Sequence, residues 1–135
     1  MFGKRISPIA RTVRRKGDPA GCSEDEIAAL EDQFDVKFPA DYREFLALAG
    51  RGVSGLWTGS DYTFGILPTL QSEAKEMLKE VGLELPRESF VFYMHQGYQF
   101  AFLNASGVFS FLEGEDHFDK PWNSFTECLL ENANM

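Results

Sequence analysis

The spacing of apolar residues divides the chain into helical segments followed by a run of strands. In residues 23–34, SEDEIAALEDQF, Ile27, Leu30 and Phe34 recur at intervals of three and four, the spacing of one helix face. Ser23 and Glu26 stand three residues apart, as a capping box requires, and acidic residues fill the first turn, where the helix dipole favours them. We therefore predict a helix that starts after Ser23.

Two further helices are predicted before the strands. Pro39 suits the first turn of a helix, and Gly50 and Gly52 suit its left-handed end. The face of that helix carries Tyr42, Phe45, Leu46 and Ala49. The next helix ends at Gly82 and has one apolar side, made of Leu70, Ala74, Met77 and Val81. The glycine-rich, aromatic segment between the two helices predicts turns and one or two short strands.

The segment FVFYMHQGYQFAFL, residues 90–103, predicts a β-hairpin with a two-residue turn at Gln96-Gly97. This register pairs His95 with Tyr98, Tyr93 with Phe100 and Val91 with Phe102. The other side of the hairpin then carries Phe90, Phe92, Met94, Ala101 and Leu103. A third strand, VFSFL, follows the turn NASG. It places Phe109 and Phe111 on the Tyr93/Phe100 side, and Val108, Ser110 and Leu112 on the opposite one.

The C-terminal part predicts an acidic loop, EGEDHFDKP, and a closing helix whose inward side carries Phe125, Cys128 and Leu129. The whole pattern predicts one α+β domain over residues 22–135, with helices packed on a mostly antiparallel sheet. Residues 1–21 are expected to form a basic N-terminal arm, extended or pairing as an edge strand. Their Ser/Arg content is also compatible with a transit peptide.

Charge is distributed unevenly along the chain. The net charge of −8 combines +5 in residues 1–21 with −13 in residues 22–135. A body this acidic repels nucleic acid and anionic lipid and attracts basic partners, although solubility alone also accounts for acidity. Cys22 and Cys128 form no CxxC or Cys/His pattern, so we expect free thiols, no metal site and a cytoplasmic location.

His95 is the residue that most resembles a catalytic group, because it lies beside Gly97 at the predicted hairpin end. A catalytic imidazole needs an orienting acceptor and a reacting partner, and no nearby Ser or Cys carries a nucleophile motif such as GxSxG. We therefore expect a strand-end histidine, no catalytic residue and no cofactor. The glycines of residues 50–59 are attributed to turns, because the lysine of a phosphate loop is missing.

The acidic loop around His117 has two interpretations. Its oxygen ligands suit a hard cation, but their spacing is not that of an EF-hand, so a solvated loop or an acidic contact patch is preferred. The aromatic residues of the sheet also leave two possibilities. Either all of them are core, or one face is partly open and grips another protein through Tyr93, Tyr98 and Trp57.

Residues 23–52, SEDEIAALEDQFDVKFPADYREFLALAGRG, resemble the N-terminal signature of the SUKH superfamily. That signature has a helix followed by LP-x-D-Y-x-x-F-L and a glycine-rich N-G-G. Here Phe38-Pro39 replaces Leu-Pro, Asp41-Tyr42 and Phe45-Leu46 match, and AGRG replaces the glycine-rich end. HQGYQFAFL, GVFSFLEGED and SFTECL are similar to the second half, so the resemblance covers residues 23–131.

The resemblance implies a non-catalytic α+β protein that binds other proteins. Bacterial members are largely immunity proteins that neutralise toxin domains, often nucleases, and fungal members are regulatory scaffolds. We expect an immunity protein that occludes the active site of a basic toxin; a regulator without a toxin and an enzyme built around His95 are the alternatives. The predicted partner-binding residues are Glu113, Glu115, Asp116, Asp119, Asp61, Trp57 and Tyr98.

Overall fold

The computed structural model describes residues 6–133. In this range five α-helices accompany a five-stranded sheet, and the predicted α+β class is confirmed. The helices are α1 (Pro8–Lys16), α2 (Glu24–Phe34), α3 (Ala40–Ala49), α4 (Leu67–Lys79) and α5 (Phe125–Asn132). The strands are β1 (Ser60–Asp61), β2 (Phe90–His95), β3 (Gln99–Asn104), β4 (Gly107–Leu112) and β5 (Asp119–Trp122), and a 3₁₀ turn covers Phe64–Ile66.

The predicted helix starts are close to the observed ones, and the ends differ. Ser23 and Glu26 form the expected capping box of α2. Pro39 is the N-cap of α3 rather than a residue of its first turn. Gly50 is right-handed (φ −59°), so the chain first becomes left-handed at Gly52 (φ 118°).

The basic N-terminal segment is not an extended arm or edge strand over residues 8–16; that expectation is wrong. Ser7 caps α1 by accepting from the Ala10 N–H at 3.0 Å, and Ile9 and Val13, four residues apart, are buried in the core. This spacing gives α1 one apolar side, which packs on α3 and α5. Residues 1–5, the rest of the expected arm, lie outside the described residues.

The sheet is antiparallel throughout, with neighbours in sequence order β1-β2-β3-β4-β5. The two-residue turn predicted for the β2–β3 hairpin is wrong, because His95 pairs with Gln99 and three residues form the turn. A bulge between Val91 and Tyr93 compensates for the extra residue, so the predicted pair Val91–Phe102 is nevertheless formed.

The bulge decides which face of the sheet several side chains occupy. Phe92 and Tyr93 both contact the ring of Trp57, so both lie on one face, which we call the tyrosine face. Tyr93 pairs with Ala101, and Met94 pairs with Phe100 on the opposite side, so the predicted faces of Tyr93 and Met94 are wrong. The other aromatic face is as predicted and carries Phe100, Phe102, Phe109 and Phe111.

Tyr42 is the centre of the aromatic core. Its ring lies 5.1–6.4 Å, centroid to centroid, from the rings of Phe38, Phe45, Phe90, Phe92 and Phe125. These contacts join α3 to β2 and α5. Burial raises the pKa of the Tyr42 hydroxyl well above its ordinary value, so the group stays neutral.

Asp41, the neighbour of Tyr42, fixes the start of α5. Its Oδ2 accepts hydrogen bonds at 2.9 Å from both the backbone N–H and the hydroxyl of Thr126. Ser124 supplies the ordinary N-cap by accepting from the Glu127 N–H at 3.1 Å. The Asp41-Tyr42 pair thus docks α5 with a carboxylate at the helix N-terminus and a ring against Phe125.

Gln71 closes the part of the β2 edge that β1 does not reach. β1 pairs only with Met94 and His95, which leaves Val91 without a strand on that side. The amide of the buried Gln71 replaces the missing strand: its Nε2 donates to the Val91 carbonyl at 2.7 Å, and its Oε1 accepts from the Val91 N–H at 2.9 Å. The sequence pattern gave no indication of this role, since Gln71 was not among the predicted inward residues of α4.

We predict that Gln71→Leu lowers the free energy of unfolding by about 2–4 kcal/mol, because two buried backbone groups of Val91 lose their partners. Chemical denaturation followed by circular dichroism measures the change. Gln33→Leu on α2, where the side chain is exposed, is the matched control. If the two variants lost equal stability, the edge-closing role of Gln71 would be contradicted.

Candidate partner-binding face

A cleft of about 320 Å³ opens on the tyrosine face of the sheet. Each strand of the sheet and α5 contribute to its lining. Its lining includes Trp57, Tyr93, His95, Gln99, Ser110 and Trp122. The cleft lies on the face that carries Tyr93.

The Ser60 hydroxyl connects two of the cleft side chains. Its Oγ lies 2.9 Å from the Tyr93 hydroxyl and 2.8 Å from Nδ1 of His95. β1 provides this contact, because Ser60 pairs directly with His95 across the two strands. The ring of His95 also meets the ring of Tyr98 edge-on at 5.4 Å.

This geometry meets one structural condition of the enzyme alternative, a concave site with a second polar group beside His95. Catalysis by a Ser–His pair also requires a group that orients the imidazole through its other nitrogen. Among the hydrogen bonds of residues 6–133, none involves Nε2 of His95. The Ser60–His95 hydrogen bond lies in the wall of the cleft.

The acidic loop lies at the hairpin end of the same sheet. The N–H of Glu113 donates to the Tyr98 carbonyl at 2.8 Å, which ties the loop to the β2–β3 turn. Asp119 pairs with Ser110, a cleft residue, so its side chain lies on the cleft face at the β5 edge of the sheet. Asp61 follows Ser60 in β1 and pairs with Met94, so its side chain points to the opposite face of the sheet.

Three of the predicted loop residues surround His117. Its Nδ1 lies 3.1 Å from Asp116 and 3.7 Å from Glu115, and its Nε2 lies 3.7 Å from Asp119. The hydrogen bond to Asp116, with the charges of the other two carboxylates, raises the pKa of His117. Within residues 6–133, no group of three or more His, Cys, Asp or Glu side chains has an arrangement that could hold a metal ion.

The predicted partner-binding residues differ in their exposure to solvent. Tyr98 is 39% exposed, and Asp61, Glu113, Asp116 and Asp119 are exposed, while Glu115 is half-buried. The expectation that Trp57 is exposed is wrong, since only 8% of it is accessible. Its ring packs against Phe45, Tyr62 and Phe125, so Trp57 contributes to the face only as a cleft wall.

Sequence reasoning missed several residues of the face. DKP was assigned to the acidic loop, but Asp119–Trp122 forms β5, which brings Trp122 to the cleft. Gln99 and the 43%-exposed Leu112 form a cross-strand pair next to the cleft. For Ser110, the alternation in VFSFL predicted the correct face of the sheet but no role in a site. Nothing in the sequence singled out Gln99.

Both cysteines are free and buried, as the absence of a cysteine pattern predicted. Burial raises the pKa of the Cys22 thiol and raises that of Cys128, which lines the cleft, to about 12. A thiol with such a pKa is almost wholly protonated at neutral pH and is a poor nucleophile.

We predict that Asp116→Asn lowers the pKa of His117, because the substitution removes the carboxylate that makes its hydrogen bond. Titration of the His117 ring by NMR measures the shift. Since the pKa is raised in the folded protein, His117 loses its charge only as the pH rises through that higher value, and the loop becomes more negative across the same window. Asp32→Asn on α2 is the control; equal midpoints in both variants would contradict the assignment.

The family of the chain follows from its sequence and agrees with this architecture. Residues 21–131 match the SMI1/KNR4 family (SUKH-1), and no curated protein matches the chain. None of the helices in residues 6–133 has the length and apolarity needed to cross a membrane. Members of the family include immunity proteins and SMI1/KNR4 regulators; they bind protein partners and are generally non-catalytic. With four-fifths of its length matched, the chain belongs to the SMI1/KNR4 (SUKH-1) family.

Proposed function

We propose that the protein is a cytoplasmic immunity protein that binds a basic, nuclease-type toxin domain and covers its active site. The observation that carries the proposal is the position of the acidic loop beside an open cleft on one face of the sheet. A nuclease groove is positively charged because it binds phosphates, so carboxylates at the edge of this face would oppose it directly.

The charge distribution supports rapid association with such a partner. Residues 22–135 carry a net charge of −13, and a strong field of one sign accelerates encounter with a molecule of the opposite sign. The exposed Tyr98 and Leu112 provide apolar contact area at the same end of the sheet. The face thus combines a charged rim with apolar and aromatic groups, as protein interfaces commonly do.

A regulator without a toxin partner is the second candidate, because the same family includes SMI1/KNR4 regulators. Genomic neighbourhood distinguishes the two, since an immunity gene should lie directly beside a toxin gene. Co-expression is the functional test. Cells that produce the protein encoded by the adjacent gene should stop growing, and growth should return when this chain is expressed with it. Continued arrest despite soluble expression would contradict the immunity role.

We predict that reversing Glu113, Glu115, Asp116 and Asp119 to lysine slows association with that partner by at least about tenfold at low salt, because electrostatic steering is lost. Stopped-flow or surface plasmon resonance gives the association rate as a function of ionic strength, and the salt dependence should weaken as well.

The control for this variant reverses Asp25, Asp32 and Glu84, which are exposed on α2 and on the connector before β2. Its effect per reversed charge should be several times smaller, because these residues lie away from the acidic loop. If both sets of charge reversals slowed association equally per charge, net charge alone would explain the rate. A specific role for the acidic loop would then be contradicted.

A further inference from the structure

The cleft has an unusual combination of an aromatic wall and a neutral lining. Trp57 and Trp122, the only tryptophans of the chain, both line it, together with Tyr93 and Phe92. Its thirteen lining residues include no Lys, Arg, Asp or Glu. Its volume of about 320 Å³ is at the lower end of the range for ligand pockets, roughly 300–1,000 Å³, which suits one large side chain.

Two carboxylates lie beside this neutral cleft. Asp119 pairs with the lining residue Ser110. Glu131 is fixed beside Trp122, whose Nε1 donates to its Oε2 at 2.5 Å. Both carboxylates belong to exposed residues, so each retains water while its field reaches into the cleft.

Hydrogen-bond acceptors are available inside the cleft. Asn132 donates from Nδ2 to the Cys128 carbonyl at 2.7 Å, which leaves its amide oxygen for another donor. Within residues 6–133, the side chains of Gln99 and Ser110 make no hydrogen bond with another protein group. A group that enters the cleft would therefore meet aromatic rings and unused acceptors.

From these observations we propose that the cleft receives an arginine side chain of the basic partner. This inference rests on the proposed function and names the group that the open face recognises. A guanidinium is planar and weakly hydrated, stacks on aromatic rings and carries five donors, so it uses the rings, the acceptors and the surrounding field together. A lysine ammonium is more strongly hydrated and stacks less well, and an aliphatic side chain would leave the acceptors unpaired.

The direct test uses three short peptides, acetyl-Gly-Xaa-Gly-amide, in which Xaa is arginine, lysine or citrulline. Citrulline keeps the shape and the planar end group of arginine but has no charge. Titration into the full chain is followed by the indole N–H signals of the two tryptophans and the side-chain amide signals of Gln99 and Asn132. Because both indoles lie at the cleft, tryptophan fluorescence provides a second readout.

We expect the arginine peptide to shift these signals saturably and to bind about fivefold more tightly than the citrulline peptide, which corresponds to one partly exposed cation–π contact. The lysine peptide should bind more weakly than the arginine peptide. Equal binding of arginine and citrulline, stronger binding of lysine, or an absence of shifts at these four side chains would each overturn the proposal.

Ser110→Leu separates cleft binding from the general attraction of the acidic surface. Leucine suits a strand and would project into the cleft, so the variant should fold and lose at least about fivefold in affinity for the arginine peptide through steric exclusion. Ser72→Leu, at an exposed site on α4 outside the cleft lining, is the control. Unchanged binding by Ser110→Leu would contradict the inference.

Rescue of cells, measured for the chain and for Ser110→Leu, separates this inference from the proposed function. If Ser110→Leu still rescued cells from the adjacent gene product and bound it with unchanged affinity, the immunity role would stand and the arginine site would be wrong. If the arginine peptide bound as expected but the chain gave no rescue, the cleft chemistry would stand and the immunity role would be wrong.

Discussion

The docking of α5 against α3 and β2 gives the cleft its shape. Asp41 holds the first turn of α5 through Thr126, and the ring of Tyr42 packs on Phe125 one residue earlier. With its N-terminus fixed in this way, α5 places Cys128 and Asn132 at one wall of the cleft, opposite Trp57 and Ser60. The Asp-Tyr dipeptide is therefore a structural element of the face even though it lies away from it.

The local elements could be predicted because each depends on nearby residues. The capping box of α2 and the buried faces of α3 and α5 follow from helical spacing and were correct. The β2–β3 hairpin was predicted with the wrong turn, since His95 pairs with Gln99 and Tyr98 joins Gln96 and Gly97 in the turn. The compensating bulge at Phe92 arises from packing, where both Phe92 and Tyr93 contact Trp57, and a two-residue alternation cannot reveal it.

The missed features are those that depend on distant parts of the chain. α1 folds because α3 and α5 offer a surface for Ile9 and Val13, and its many basic residues concealed this short apolar pattern. β5 contains Lys120 and Pro121. These residues do not predict a strand when only the sequence is considered, but both are typical of an edge strand. The cleft residues come from strands and a helix far apart in sequence, so Trp57, Tyr93 and His95 were singled out one by one, and the cleft that they share was not predicted.

The two edges of the sheet favour recognition by side chains over strand addition. Pro121 interrupts the donors of β5, and Gln71 occupies the Val91 backbone groups on the β2 edge. The cleft, Tyr98, Leu112 and the acidic loop lie on the tyrosine face or at its hairpin end.

Binding of the partner at this face is the central proposal. Hydrogen–deuterium exchange of the chain, alone and bound to the protein encoded by the adjacent gene, tests it most directly. We predict slower exchange of the backbone amides at residues 57–61, 93–99 and 110–122 in the complex, with little change in α2. Protection concentrated on α2 and α4, with these three segments unchanged, would contradict it.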